Sequence, residues 1–315
     1  MSTRITLCFC TYNRAENLPS LVASIREQQC EIPIRILAIN NNSRDHTLAT
    51  LQALQQLPGH PLDFVTEQEQ GIVPARNRAL EECLNDEFMI FIDDDEIPLP
   101  GLIQSAYLAL KEGYHVVGGK VLIAFDNKRP AWLSDELLPF LAAIDYGDQD
   151  FEIRNDQHPL WTANIAYRME IFRRYPELRF NKNFNRVGNV VGGGEDGIMF
   201  RQFLENESIK LGYIPGMAVD HYVEEWRLRR LYFLNLHHRA GYRRGRFREP
   251  MYERRLFGAP KFLYRNLATQ TATATLHSLR QFSPAIREWM TVSHTMGMIR
   301  GYRDRRHDKE KGQCA

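Results

Sequence analysis

The chain has 315 residues, 43% of them hydrophobic and 25% charged, with a formal net charge of +1. That is an ordinary globular composition, long enough to bury a sizeable core as one large domain or as a domain with an appendage. It excludes a low-complexity chain, and no apolar run of 18 residues is present to span a bilayer. Five cysteines, Cys8, Cys10, Cys30, Cys83 and Cys314, form an odd set with no CxxC pair. No signal peptide precedes the first strand pattern, so a reducing cytoplasm is the expected setting.

The first half alternates short apolar runs with helical patterns. "RITLCFC" and "IRILAIN" predict buried strands, and "ENLPSLVASIREQ" and "DHTLATLQALQQL" predict the helices that follow them, the second with Leu48, Leu51 and Leu54 on one side. "LDFV" and "EFMIFI" repeat the strand signal, with "VPARNRALEECL" as the helix between them. Such βαβα order predicts a parallel sheet covered on both faces. Ligands of such sheets gather beyond the carboxyl ends of the strands, which here are followed by "TYNR", "NNNSRD", "EQEQG" and "DDDE". After Gly101 come a helix, a strand "YHVVGGKVLIAF", and an irregular stretch from Asp126 to about Pro159 of the kind that often serves a substrate. Then follow a strand "LWTANIAYR", a Gly-rich "VVGGGED", a helix "DGIMFRQFLEN", a short strand "IKLGYIP", and "AVDHY" leading into a basic helical tail.

The stretch "FMIFIDDDEIPLP" sets an apolar run directly against three aspartates. Adjacent like charges repel, and a divalent cation among them would relieve the repulsion. Mg2+ or Mn2+ commonly takes one or two carboxylates plus phosphate oxygens. An acidic turn capping the next helix accounts for the run equally well from these residues alone. Cys8 and Cys10 share one strand face, and buried thiols are the simpler reading of them than metal ligands.

Taken in order, "CTYNR", "NNNSRDHT", "GIVPARNRAL", "FIDDDE", "GGGED" and "DHY" resemble glycosyltransferase family 2, over Ile5 to about Tyr242. The resemblance implies an inverting enzyme of GT-A fold: an α/β, Rossmann-like domain with a mostly parallel central sheet and helices on both faces, over residues 1–222. A basic helical C-terminal appendage would occupy residues 223–315. Position by position, it implies that Thr11, Tyr12 and Arg14 contact the nucleotide and that Arg76 and Asn77 approach base and phosphates from the third helix. Asp93 and Asp95 match the family's DxD, with Asp94 as spacer, and hold Mn2+ or Mg2+ against the donor diphosphate. Glu195 and Asp196 match its ED pair, Asp196 being the general base on the acceptor hydroxyl. His221 corresponds to a histidine near the metal, and Trp161 to an aromatic beneath a sugar.

Each of these positions also has a plain structural reading: a turn cap for Thr11 or Asn13, a solvated helix charge for Arg76, first-turn acids stabilised by the helix dipole for Glu195 and Asp196, a core aromatic for Trp161. Gly192 to Gly194 suit a substrate loop or a plain turn. One departure is clear, since Asn40 stands where the family usually has an Asp that accepts from uracil. An amide can donate as well as accept, so the base is left open among uracil, thymine and others, and Asp45 is expected to cap a helix.

The small net charge hides an asymmetry: residues 223–315 hold 20 of the 40 Lys and Arg but only 8 of the 39 Asp and Glu. A basic region interleaved with aromatics suits anionic lipid, nucleic acid or a diphosphate. Arg227, Arg230 and Arg239 could neutralise a leaving diphosphate or simply face solvent. The expected partners are a nucleoside-diphosphate sugar and a glycan or lipid-linked acceptor, with no nucleic acid and with peripheral contact at the cytoplasmic face of the inner membrane. Three alternatives stand beside this: a dehalogenase-type phosphatase, whose pattern needs Thr where Ile97 stands; a nucleic-acid-binding protein; and a non-catalytic relative.

Overall fold

The computed structural model describes residues 2–125, 128–187, 194–280 and 285–310. The chain divides into two compact units, one of Met1–Asn127 with Glu136–Val223, the other of Lys128–Asp135 with Glu224–Ala315.

In the first unit the chain runs β1 (Ser2–Thr11), α1 (Leu18–Arg26), β2 (Ile34–Asn40), α2 (Thr47–Gln55), β3 (Leu62–Thr66), α3 (Ile72–Glu82) and β4 (Asp86–Ile92). It continues with β5 (Glu96–Pro98), α4 (Leu102–Lys111), β6 (Val116–Ala124), β7 (Phe151–Ile153), β8 (Asn164–Arg168), α5 (Glu170–Arg174), α6 (Glu195–Glu205) and β9 (Leu211–Tyr222). The described residues form a nine-stranded sheet ordered β3-β2-β1-β4-β8-β6-β9-β5, with β7 on β9. The half made of β3, β2, β1 and β4 is parallel throughout, because a helix carries the chain back after each strand. The other half is mixed: β8 runs antiparallel to β4 and β6, while β6 and β9 are parallel. Helical crossovers thus account for the parallel half, and the long irregular connection brings β8 back the other way.

The apolar runs behave as a doubly covered sheet requires. Leu7, Phe9, Leu37, Ile39, Ile90 and Phe91 are all buried, as are Leu21 and Ile25 of α1 and Leu80 of α3. In α2 the covered stripe is Thr47, Leu51 and Leu54. Leu48, expected beside them, is 39% exposed, because 47, 51 and 54 follow the 3.6-residue period and 48 falls off it. Two short patterns, "IKLGYIP" and "AVDHY", fuse into the single strand β9. The register of β6 on β9 shifts between Gly118 and Lys120, where a Cβ on Gly119 would overlap the Met217 carbonyl. Buried Asn164 donates to the Lys120 and Met217 carbonyls, 2.9 Å each, and so satisfies the two groups that this irregularity frees. Cys8 and Cys83 are buried and Cys10 and Cys30 partly so, all free thiols; burial pushes the Cys10 thiol up to about 12. Cys314 lies outside the described residues.

The second unit holds α7 (Arg230–Arg243), the short strands β10 (Arg255–Leu256) and β11 (Ala259–Pro260), α8 (Lys261–Arg280) and α9 (Ile286–Glu310). Helix α7, with the helical turn Arg244–Arg248 that continues it, crosses α9 through four glycines. A Cβ on Gly241 would overlap the His294 carbonyl, on Gly245 that of Met298, on Gly297 that of His238 and on Gly301 that of Tyr242. Backbone against backbone leaves no room for a side chain. Gly297→Val is therefore expected to cost about 1–3 kcal/mol or to force the helices apart. Thermal denaturation checks this, and an unchanged midpoint would contradict it. No described helix is long and apolar enough to cross a membrane.

Candidate active site

The carboxyl ends of β1, β2 and β4 lie side by side, with Thr11 opposite Asn40 and Cys8 opposite Phe91. The loops that leave them are stitched together by short polar side chains. The Asn13 amide N–H donates to Ser43 Oγ at 3.0 Å, and Asn13 Oδ1 accepts from the Arg44 amide at 2.8 Å. The Arg14 amide donates to Thr47 Oγ1 at 3.1 Å. Asp45 accepts from the Thr47 and Ala15 amides; the N-cap of α2 itself is His46, without a side-chain capping bond, so Asp45 braces the helix entry from one position earlier than a cap. Burial alone would raise its pKa, but these hydrogen bonds outweigh burial and lower it. Tyr12 is half-buried in the same loop.

Asn40 uses both halves of its amide. Its Oδ1 accepts from the Ser43 amide at 3.2 Å and its Nδ2 donates to Thr66 Oγ1 at 3.3 Å. Asn41 does likewise, accepting from the Gly71 amide at 2.7 Å and donating to the Glu69 carbonyl at 2.8 Å. A carboxylate could make neither donation, which is a structural reason for asparagine here.

Arg76 is the centre of the site. Far from being a solvated helix charge, its side chain is 3% exposed. Its Nη1 donates to Glu195 Oε1 and Asp196 Oδ1, 3.0 Å each, and its Nη2 lies 3.6 Å from Asp93 Oδ1. The Phe180 ring stands 5.6 Å from its guanidinium. Burial opposes the charge, but Asp196, Glu195 and Asp93 overcome it and hold the pKa above the usual arginine value. Asn77, next in α3, exchanges two hydrogen bonds with the Phe180 backbone and so positions that ring.

Glu195 and Asp196 open α6 and differ sharply in environment. Glu195 is 1% exposed by side chain, with Arg186 Nε 3.7 Å from its Oε1. Burial raises its pKa, Arg76 opposes that, and Asp196 adds to it. Asp196 is 20% exposed by side chain, and its Oδ1 also accepts from Thr162 Oγ1 at 2.7 Å. Both observed bonds fall on Oδ1. Trp161, beside Thr162, is half-buried against the core and faces the first turn of α6 near Gly197. Gly192 and Gly193 lie outside the described residues.

On the other side of Arg76, Asp95 Oδ1 lies 3.7 Å from His221 Nε2 and its Oδ2 lies 4.0 Å from Arg14 Nη2. The short strand β5 sets this up by pairing with β9 so that Glu96 stands opposite His221. Buried Glu96 accepts from the Asp93 amide at 2.7 Å. Asp94 is pushed up to about 7 by burial and by Asp95, against the pull of Arg14 and the Thr11 hydroxyl. Thus Thr11, Arg14, Arg76, Asp93, Asp95, Glu195, Asp196 and His221 meet in one place. Glu96, which closes the "FIDDDE" stretch, belongs there too, as do Thr162 and Arg186, which carry no pattern that single-sequence reading could detect. Among the described residues no group of three or more His, Cys, Asp or Glu is ready to hold a metal ion by itself.

The protein-family model described as Glycosyl transferase family 2 matches residues 6–176, from within β1 to just past α5. This chain belongs to glycosyl transferase family 2. Among curated relatives of this family 2 member, a GalNAc(5)-diNAcBac-PP-undecaprenol beta-1,3-glucosyltransferase of Campylobacter jejuni is 31% identical over 114 residues, 36% of each chain. An uncharacterized glycosyltransferase of Bacillus subtilis is 32% identical over 93 residues, 29% of this chain and 23% of its own length. The chain therefore spans about a quarter to a third of the length of these relatives. Among solved structures, a mannosyltransferase from Pyrobaculum calidifontis in complex with GDP-Man and Mn2+ aligns over 96% of this chain and 88% of its own, at 15% identity and a TM-score of 0.61. S. aureus TarS 1–349 in complex with UDP-GlcNAc aligns over 99% and 93%, at 15% identity and a TM-score of 0.54. These likenesses establish the GT-A fold for the family 2 chain.

Proposed function

We propose that this protein is an inverting glycosyltransferase that moves a sugar from a nucleoside-diphosphate sugar to a hydroxyl of a glycan or lipid-linked acceptor. The first unit would be its catalytic domain and the second a basic appendage that meets a membrane surface. UDP-sugars are the first donor class to test, with dTDP- and GDP-sugars next. The observation that carries the reading is the buried Arg76 network, which ties Asp93, on the donor side, to Asp196, on the acceptor side. Solved structures of similar fold carry GDP-Man with Mn2+ or UDP-GlcNAc, and one relative's name specifies a lipid-diphosphate acceptor.

Asp95 and His221 converge closely enough to share one ion, with Asp93 beside them, and the donor diphosphate would complete the coordination. An imidazole donor suits Mn2+ better than Mg2+. When bound, the ion would supply charge stabilisation for the departing diphosphate. The chain's own residues do the rest. Thr11, Tyr12 and the Asn40 turn frame the nucleotide, Arg14 adds positive charge beside the diphosphate, and Trp161 walls the sugar. Asp196, held through Oδ1 by Thr162 and Arg76, offers Oδ2 to the acceptor hydroxyl and takes its proton as the hydroxyl attacks in line. Ile97 lies within β5 opposite Asp220, so the phosphatase pattern has no hydroxyl there.

A panel of nucleotide-sugars assayed with Mn2+, Mg2+ or EDTA, with the product anomer read by NMR, tests the proposal. Inversion with divalent-dependent turnover is expected. Retained configuration, or full turnover in EDTA, would contradict it.

A further inference from the structure

The second unit presents an apolar tip on a basic, well-anchored base. Strands β10 and β11 pair antiparallel, with Arg255 opposite Pro260 and Leu256 opposite Ala259, so Phe257 and Gly258 form a two-residue turn. Both turn residues have positive φ, +46° for Phe257 and +89° for Gly258. Such a turn is relaxed with Asn-Gly or Gly-Gly, whereas a bulky side chain at its first position is a strained choice. Phe257 is nonetheless placed here, 73% exposed, beside Leu256 at 41%. Tyr252 and Phe262, both more than a third exposed, meet edge to face with ring centroids 5.1 Å apart within the same stretch.

Around this apolar cluster Arg254, Arg255 and Lys261 are exposed, against one exposed acid, Glu253. Beneath it the hairpin is fixed. Ala259 and Leu263 pack with Met298, Ile299 and Tyr302, the Tyr302 hydroxyl donates to the Pro250 carbonyl at 2.9 Å, and the Lys261 amide donates to the Arg254 carbonyl at 3.0 Å. An exposed apolar cluster in a soluble setting marks an interaction surface. Its basic border selects an anionic partner, and aromatic side chains among Arg and Lys are the composition of an interfacial membrane contact.

We infer that the β10–β11 hairpin is a membrane-contact wedge. Phe257 and Leu256 enter the interfacial layer of an anionic phospholipid bilayer, while Arg254, Arg255 and Lys261 bind lipid phosphates. This deepens the proposal that the basic region meets a membrane and is independent of the transfer chemistry.

Flotation of the full chain with vesicles tests it, using equal parts phosphatidylcholine and phosphatidylglycerol against phosphatidylcholine alone. The chain is expected to float with the anionic vesicles and to release as salt rises. Phe257→Ser with Leu256→Ser should weaken partitioning by about tenfold or more, and Arg254→Ser with Arg255→Ser by a similar factor. Leu57→Ser, at an exposed apolar position of the first unit, should leave it unchanged. Because all these side chains are exposed, the variants should keep the far-UV circular dichroism of the parent.

Variants that float like the parent, equal binding to neutral vesicles, or a self-association that Phe257→Ser abolishes would each overturn the inference. Vesicle binding by a chain that turns over no donor supports the wedge and counts against the catalytic proposal alone. Donor turnover with no vesicle binding overturns the wedge and the membrane role of the basic unit, and leaves the transfer chemistry standing.

Discussion

Asp196→Asn is expected to lower kcat by about 10²–10⁴-fold, the range for loss of a positioned general base, with little change in donor KM. Asparagine keeps an oxygen to accept from Thr162 and Arg76, so the loop and α6 should hold their places. It presents an amide to the acceptor instead of a basic oxygen. Fold and donor site thus survive while the proton acceptor is lost, which separates a chemical role from a structural one. Steady-state kinetics with saturating acceptor, together with a melting midpoint, check this. Turnover within tenfold of the parent would remove Asp196 from the proposed mechanism.

Arg76→Met should be at least as damaging, by a different route. The guanidinium is buried and faces Asp93, Glu195 and Asp196 together. Removing one partner of a buried ion network costs about 3–5 kcal/mol, because the remaining charges are left uncompensated. In the variant Glu195, which burial already raises against the pull of Arg76, loses that pull and is driven further above its unfolded value. Stability relative to the parent is then best at low pH and declines as pH rises through that raised value. Activity should fall as well, because the guanidinium no longer holds Asp196 Oδ1 in place. Arg76→Lys keeps the charge but not the two-pronged geometry, and should be intermediate in both respects. Chemical denaturation at two pH values, with kinetics on the folded fraction, distinguishes the variants. A fully stable and active Arg76→Met enzyme would show the network to be dispensable.

Much of this architecture is legible in the sequence because its causes are local. Apolar runs such as "EFMIFI" are too short and continuous for amphipathic helices, and the helical patterns between them fix the parallel half of the sheet. The polar clusters that close those runs then fall at one end, and the ordered family motifs narrow them to the proposed nucleotide-sugar site. What stays hidden depends on contacts between distant positions. Arg76 and Asp196 are 120 residues apart, and nothing within α3 signals that the arginine points inward. Thr162 and Glu96 owe their places to the pairing of β5 with β9 and to the path into β8. The helical period shows itself only weakly in α2, where Leu48 falls outside the buried stripe. In the second unit four glycines spaced along two helices look like weak helix formers, and only the crossing of α7 on α9 shows what they permit.

On the proposed mechanism Asp95, with His221 beside it, binds a divalent ion together with a nucleotide's diphosphate. Isothermal titration of UDP, and of GDP should UDP not bind, into the parent and Asp95→Asn, each with Mn2+ and with EDTA, tests it most directly. Mn2+ should tighten nucleotide binding to the parent by about tenfold or more, near 1.4 kcal/mol, and should make no difference to Asp95→Asn. Equal affinity with Mn2+ and with EDTA in the parent, or an undiminished Mn2+ effect in the variant, would contradict the account.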